Sequence, residues 1–236
     1  MIRVLIDRRL ARLRAPTALA AASIALAIGG LALPLSSIAQ PAPMPSPTAQ
    51  AAMTPSQLVQ SNSQRVIRAL SSRRAEFQAN TVLLHDYIRS EFSHGFDRVY
   101  SARLVLGRNG TDVADAQLRG FADALAENLM QRYGNSLLQL DPGLNVKVTS
   151  EQSFRNGSII KVKSLVDRSS GAPVPVDYLM HQADGEWKIF DVLVEGTSFV
   201  GTFRTQFNDE LRRKSLAQIT ADLRAGAIAV DPRIRK

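Results

Sequence analysis

Four stretches in the first half of the chain repeat apolar residues at the three- and four-residue spacing of amphipathic helices. These stretches cover 58–77, 81–88, 96–106 and 111–137. The last has the longest stripe, which contains Leu118, Phe121, Leu125, Leu129, Tyr133 and Leu137. Because this spacing places apolar side chains on one side of a helix, the pattern predicts four helices, the fourth being the longest.

After residue 143 the apolar period changes from that of a helix to that of a strand. Four short segments contain β-branched residues that partly alternate with polar ones: 145–149, 158–166, 176–181 and 187–194. Turn sequences such as Asn156-Gly157 and Asp184-Gly185 separate them. Four strands joined by tight turns predict an antiparallel meander. Two further helical patterns follow, at 197–207 and 215–224.

Helices grouped before a meander, with two more behind it, indicate an α+β fold. We expect helices to pack on one face of a four-stranded antiparallel sheet. The long stripe from Leu118 to Leu137 is the expected partner of the inner face of that sheet.

The N-terminal 39 residues have the order of a secretory signal peptide. Five arginines between Arg3 and Arg14 precede an uncharged stretch at 17–33, and Ser37-Ile38-Ala39 places small residues at both ends of a triplet. This order predicts cleavage after Ala39 and export to the periplasm of a Gram-negative bacterium. A retained membrane anchor is the alternative, but the apolar stretch is slightly short for a span.

The domain organisation follows from where charge and apolar residues occur. Residues 40–57 are rich in Pro, Ala and Ser, which predicts a linker. The folded domain is expected at 58–225 and a C-terminal tail at 226–236, whose last six residues are expected to be solvated.

Composition and charge exclude several function classes. The chain has no cysteine, so it has no disulfide, thiolate metal site or cysteine nucleophile. Its formal net charge is +8, but without residues 1–39 there remain 24 basic and 20 acidic residues, a net charge of +4. The high isoelectric point therefore gives little support to a nucleic-acid partner, and we expect none.

Candidate catalytic groups are sparse. The three histidines, His85, His94 and His181, do not have the spacing of a metal site, so no metal is expected. Ser198 follows Gly196 and Thr197, an arrangement that favours a strand end, a turn and a helix cap over a nucleophile. Asp191 and Glu195 fall on one face of a strand; they could form an acid–base pair, but their alternation with Val192 and Val194 favours the exposed side.

Scattered residues, in a fixed order and spacing, carry a resemblance to a known family. They are Tyr100 with the run from Leu104 to Gly107, Phe121, Tyr133-Gly134, Gly185 with Trp187, Asp191, Glu195-Gly196 with Ser198, and Arg213-Lys214 before the last helix. With them, the chain resembles the MlaC-type periplasmic phospholipid-binding proteins, the toluene-tolerance auxiliary family, over residues 58–225.

The resemblance implies a fold related to the NTF2-like or cystatin-like α+β class. It also implies a non-enzymatic carrier that holds a diacyl phospholipid as cargo, with no cofactor. Such a carrier passes lipid between an inner-membrane ABC transporter complex bearing an MCE-domain protein and an outer-membrane lipoprotein–porin complex, and so maintains outer-membrane lipid asymmetry.

The apolar faces then suggest a pocket wall of twelve residues: Phe96, Tyr100, Leu104, Leu125, Leu129, Tyr133, Val162, Leu165, Tyr178, Leu193, Phe199 and Phe203. Two alternatives remain at this stage. One is an envelope adaptor whose core is closed and binds no lipid, and the other is an exported hydrolase that uses Ser198 or the Asp191/Glu195 pair.

Overall fold

The computed structural model describes residues 53–141 and 143–231. Within these ranges, seven α-helices and five strands occur, together with short 3-10 turns. No helix of the described residues is long and apolar enough to cross a membrane. The expected signal peptide, 1–39, and the linker up to residue 52 lie outside the described residues.

Five helices precede the sheet: α1 Pro55–Ser72, α2 Arg74–Ala79, α3 Thr81–Gly95, α4 Arg98–Leu106 and α5 Asp115–Tyr133. The first starts three residues before the expected domain boundary at Leu58. Its start is fixed by a capping box, in which the Thr54 side chain accepts a hydrogen bond from the Gln57 backbone while the Gln57 side chain accepts one from the Thr54 backbone. Pro55 at the first helical position is favourable there, since its missing N–H has no partner in a helix.

The sheet is a meander whose strands are neighbours in chain order: β1 Asn145–Phe154, β2 Ile159–Asp167, β3 Val174–Ala183, β4 Glu186–Val194 and β5 Thr197–Ser198. All adjacent strands are antiparallel. The expectation of four strands was therefore one short. The additional strand has only two residues, too few for an alternating pattern to be recognised.

Two helices follow the sheet, α6 Phe199–Leu211 and α7 Leu216–Arg224. Ser198 caps α6, because its hydroxyl accepts the Gly201 N–H at 2.8 Å. Ser215 caps α7 in a second capping box with Gln218.

The first part of the expected C-terminal tail packs against α5. Val230 is only 1% exposed. The Tyr133 hydroxyl donates to the Val230 carbonyl at 3.1 Å, and the Asn128 amide donates to the carbonyls of Leu223 and Ile228 at 2.9 and 3.1 Å. Residues 226–231 therefore belong to the folded domain, while 232–236 lie outside the described residues.

The apolar stripe of α5 packs on helices and not on the sheet, contrary to the expectation from sequence. Leu118, Phe121 and Leu125 are buried in one cluster with residues of α4, α6 and α7. The helix that covers the sheet is α1, whose Val59 packs with Val162 and Met180. Periodicity identified the stripe but carried no information about its partner.

Candidate functional site

The buried apolar residues form four separate clusters. The helical cluster joins α4 to α7 and includes Leu106, Phe121 and Phe207. The valine cluster contains Val146, Val166, Val174, Val176 and Val194 of the sheet. The α3 cluster contains Leu70, Phe77, Leu84, Ile88, Leu138 and Leu140, and the α1 cluster contains Val59, Val162 and Met180. A domain of this size usually has one contiguous core.

Three half-buried residues each contact two of these clusters. Tyr178 packs against the valine and α1 clusters, Phe199 against the helical and valine clusters, and Leu144 against the valine and α3 clusters. None of the three is fully enclosed. We call them the bridging residues. Side chains that join separate clusters yet remain partly exposed are candidate contacts for an apolar ligand.

Tyr178 is the bridging residue that carries a polar group. The side chains of Ser63 on α1 and Ser164 on β2 lie near its hydroxyl. Burial raises the pKa of the Tyr178 hydroxyl above its ordinary value, and the two serines partly oppose that shift. Tyr178 therefore connects α1 to the sheet by packing against both the valine cluster and the α1 cluster.

The twelve wall residues expected from sequence differ in their exposure. Three are buried in the protein's own core: Leu125 (8% exposed), Phe203 (6%) and Val162 (0%). The other nine are half-buried: Phe96, Tyr100, Leu104, Leu129, Tyr133, Leu165, Tyr178, Leu193 and Phe199.

The strand register separates four of these residues. Val162 pairs with Tyr178, while Leu165 pairs with Pro175 and Leu193 with Asp177. Because side chains alternate between the faces of a sheet, Leu165 and Leu193 lie on the face opposite to Val162 and Tyr178. One pocket on one face cannot use all four, so their grouping into a single wall has to be corrected. The sequence pattern missed this because apolar residues occur on both faces of β2 and β4.

Tyr100 and Phe96 attach α4 to the edge of β4. The Tyr100 ring stacks on the ring of His181, with centroids 4.2 Å apart, and meets Phe190 edge-on at 5.1 Å. Asp97 accepts the Tyr100 N–H at 2.9 Å, and its other carboxylate oxygen lies 3.0 Å from His181 Nε2. Phe96 forms a bridge with Ile189. These contacts explain the conformation of the α4 start without any ligand.

Tyr133 and Leu104 do not contact the valine or α1 cluster. Tyr133 is held by the C-terminal segment through Val230. Leu104 packs against the helical cluster and also lines a surface cleft between α4 and α6.

Asp191 and Ser198 form a structural unit at the start of α6. The Ser198 hydroxyl donates to Asp191 Oδ2 at 2.5 Å and accepts the Gly201 N–H. Asp191 Oδ1 accepts the N–H groups of Val192 and Val200 at 2.8 and 3.1 Å. Both polar groups are thus engaged in capping α6, as the strand–turn–cap interpretation of Ser198 expected.

The expected exposure of Asp191 was wrong. It is 5% exposed, because the start of α6 lies against it: Asp191 accepts the Ser198 hydroxyl and the Val200 N–H. Burial is the largest influence on this carboxyl and raises its pKa, against the opposing hydrogen bonds from Ser198 and the α6 backbone. Glu195 is exposed in the following turn with a φ of 51°, so the two acids do not form a pair on one strand face.

Three residues that pack against the valine cluster were not selected from the sequence. Leu144 precedes β1, Ile67 lies on α1 and Val192 on β4, and all three pack against the valine cluster while staying half-buried. Ile67 belonged to a recognised helical stripe, and Val192 alternates with buried positions. Leu144 follows a turn and carries no periodic signal. Among the described residues, no group of His, Asp and Glu could hold a metal ion.

Comparison with known proteins agrees with this architecture. The family described as "MlaC protein" matches residues 60–225. The toluene tolerance protein ttg2D of Pseudomonas putida is 27% identical over 165 residues, which cover 69% of this chain and 75% of that protein.

A solved structure of similar fold comes from Ralstonia solanacearum. It is a phospholipid-binding protein in complex with a phospholipid, and it matches with a TM-score of 0.64 at 17% identity, covering 72% of this chain and 95% of that chain. The family match extends over most of the folded domain. This chain therefore belongs to the MlaC protein family.

Proposed function

We propose that this protein is a periplasmic phospholipid carrier that holds one diacyl phospholipid against the bridging residues Tyr178, Phe199 and Leu144. Family membership, the name of the Pseudomonas relative and the bound lipid of the Ralstonia protein support this proposal. The observation that carries it in this chain is the divided core, in which half-buried apolar residues join separate clusters.

The energetics of carriage explain why a divided core would be useful. Each buried acyl CH₂ contributes roughly 0.8 kcal/mol, so two chains with about fifteen buried groups each would cost on the order of 20 kcal/mol to expose to water. In a pocket about as apolar as a bilayer, the free energy of the acyl chains differs little from that in the membrane. Lipid can then enter and leave with little net change in free energy.

The proposed wall combines the bridging residues with their half-buried neighbours. Val192 and Ile67 lie beside Tyr178 and Phe199 in the valine cluster, and Leu129 and Phe96 remain candidates from the sequence pattern. Leu165 and Leu193 are left out because they lie on the other sheet face. Leu125, Phe203 and Val162 support the wall from within the core.

We further propose that the carrier shuttles lipid between an inner-membrane ABC transporter complex with an MCE-domain protein and an outer-membrane lipoprotein–porin complex. Because the two membranes offer acyl chains a similar environment, the carrier itself gives transport no direction, which has to come from these partners. Such traffic maintains outer-membrane lipid asymmetry.

A vesicle transfer assay tests carriage. The chain is incubated with donor vesicles that contain a fluorescent phospholipid and with unlabelled acceptor vesicles, and transfer is followed by dequenching. Leu129→Asp should slow transfer, since Leu129 is a half-buried apolar residue of α5. Gln131→Asp, at an exposed position two residues away, is the matched control and should transfer like the wild type. Circular dichroism checks that both variants fold.

The outcome separates the carrier from the adaptor with a closed core. Transfer that depends on Leu129 supports the carrier. A wild-type chain that neither extracts nor delivers lipid favours the adaptor.

A further inference from the structure

A cleft of about 770 Å³ lies between α4, the 3-10 turn that follows it, and α6. Four arginines contribute to its lining: Arg103, Arg108, Arg204 and Arg212. The other lining residues are Leu104, Gly107, Asn109, Asn208 and Leu211, so no acidic side chain lines the cleft among the described residues. The cleft is separate from the bridging residues, and the proposed lipid carriage does not use its charge.

Two of the arginines are held in place by the protein. Arg204 donates from Nε to the Leu104 carbonyl at 2.8 Å. Its side chain passes over Gly107, whose φ of 58° favours glycine. Arg103 donates to the Gly110 carbonyl at 3.1 Å and pairs with Asp115 at 3.2 Å. The walls of the cleft are therefore organised before any ligand arrives.

The other two arginines have no such partners. The guanidinium groups of Arg108 and Arg212 are exposed and make no hydrogen bond or ion pair with any residue that the structure describes. Four guanidinium groups around one cleft repel one another, and only Asp115 neutralises one of them. An anion in the cleft would reduce this repulsion and would accept hydrogen bonds from the guanidinium groups of Arg108 and Arg212.

We propose that this cleft binds a phosphate group. The planar guanidinium group matches phosphate oxygens in bidentate geometry, and several guanidinium groups can share the unesterified oxygens of one phosphate. Asn109 and Asn208 provide amide donors beside them. The phosphate is either free in solution or part of an anionic lipid headgroup at a membrane surface, and the two sources share this chemistry.

The test compares two double variants with equal charge loss. Arg108→Gln with Arg212→Gln removes the two unpartnered guanidinium groups, and Arg68→Gln with Arg119→Gln removes two exposed arginines on α1 and α5 outside the cleft. Calorimetric titration with inorganic phosphate and with glycerol 3-phosphate measures the free source. Flotation with phosphatidylglycerol vesicles at low salt measures the membrane source.

Saturable binding in either arm that weakens at least tenfold in the cleft variant, but not in the control, supports the proposal and identifies the source. Equal binding by both variants overturns it, as does the absence of binding in both arms. If a glutamate-rich peptide, titrated in the same way, binds while phosphate does not, the cleft recognises carboxylates and the proposal is overturned. Lipid content after purification is measured in parallel, so that failure of the cleft and failure of lipid carriage remain distinguishable.

Discussion

The ring of Phe121 on α5 meets the ring of Phe207 on α6 edge-on, with centroids 5.1 Å apart and an interplanar angle of 83°. Both side chains are at most 1% exposed. This contact lies in the middle of the helical cluster and shows what the long stripe of α5 does. It holds α5 to α6, so this part of the interior is filled by protein.

Phe207→Ala should therefore act on stability more than on lipid binding. Removing a fully buried phenylalanine costs about 3–5 kcal/mol, through lost burial and the cavity left behind. Urea denaturation should detect this loss, while the folded fraction should keep its lipid. Phe154→Ala is the control, because Phe154 is 47% exposed at the end of β1 and its loss should cost less than about 1 kcal/mol. Equal stability of the two variants would contradict the assignment of Phe207 to the core.

The two faces of the sheet can be distinguished by adding volume to each. Val192 pairs with Tyr178 and so lies on its face, whereas Leu165 lies on the opposite face. Val192→Phe should occupy space beside the bridging residues and reduce bound lipid at least several-fold. Leu165→Phe should leave it unchanged. Phosphate analysis of the purified chains measures both, and the reverse result would place the lipid on the other face.

Asp191 gives the stability a defined dependence on pH. Since burial raises the pKa of this carboxyl in the folded state, the folded protein holds the proton more tightly than the unfolded chain. The resulting stabilisation is present below the ordinary aspartate pKa, about 3.9, and is lost as pH rises through the raised value.

Asp191→Asn removes this titration while keeping a group that can bond Ser198 and the α6 backbone. The free energy of unfolding of the wild type, relative to this variant, should fall as pH rises from the ordinary aspartate pKa to the raised pKa of Asp191. Above the raised pKa it should stay constant. Urea denaturation at a series of pH values measures the difference. A difference that rises with pH would mean that the hydrogen bonds, and not burial, determine the direction of the Asp191 pKa shift.

The C-terminal segment should contribute to stability through Val230. Val230→Asp would bury a carboxylate among apolar residues of the helical cluster and should cost several kcal/mol. Ala229→Asp adds the same group at an exposed neighbouring position and should cost little. Thermal unfolding of both variants measures the contrast. Similar melting temperatures would show that residues 226–231 do not hold to α5 in solution.

The order of the elements could be predicted because it depends on local periodicity and turn chemistry. Gly107, with a positive φ, ends α4 directly after the predicted stretch 96–106, and the Asn156-Gly157 turn joins β1 to β2. Periodicity could not reveal the two-residue strand β5, nor could it place the start of α1 at Pro55.

The site could be predicted only in part, because tertiary packing decides which apolar faces meet. Leu125 and Tyr178 look alike in a pattern of apolar positions, yet one is core and the other bridges two clusters. Asp191 alternates with Val192 along β4, but the start of α6 covers its side of the strand, which no strand pattern could show. The arginine cleft assembles residues about 100 positions apart, on α4 and α6.

The amount of phospholipid that stays with the purified protein tests the central claim most directly. The chain is recovered from the producing cells without detergent, its mass is measured under native conditions, and the organic extract is analysed for lipid phosphorus. We expect a mass excess equal to one diacyl phospholipid and about one lipid phosphorus per chain. A folded chain with no mass excess and a lipid-free extract would contradict the account.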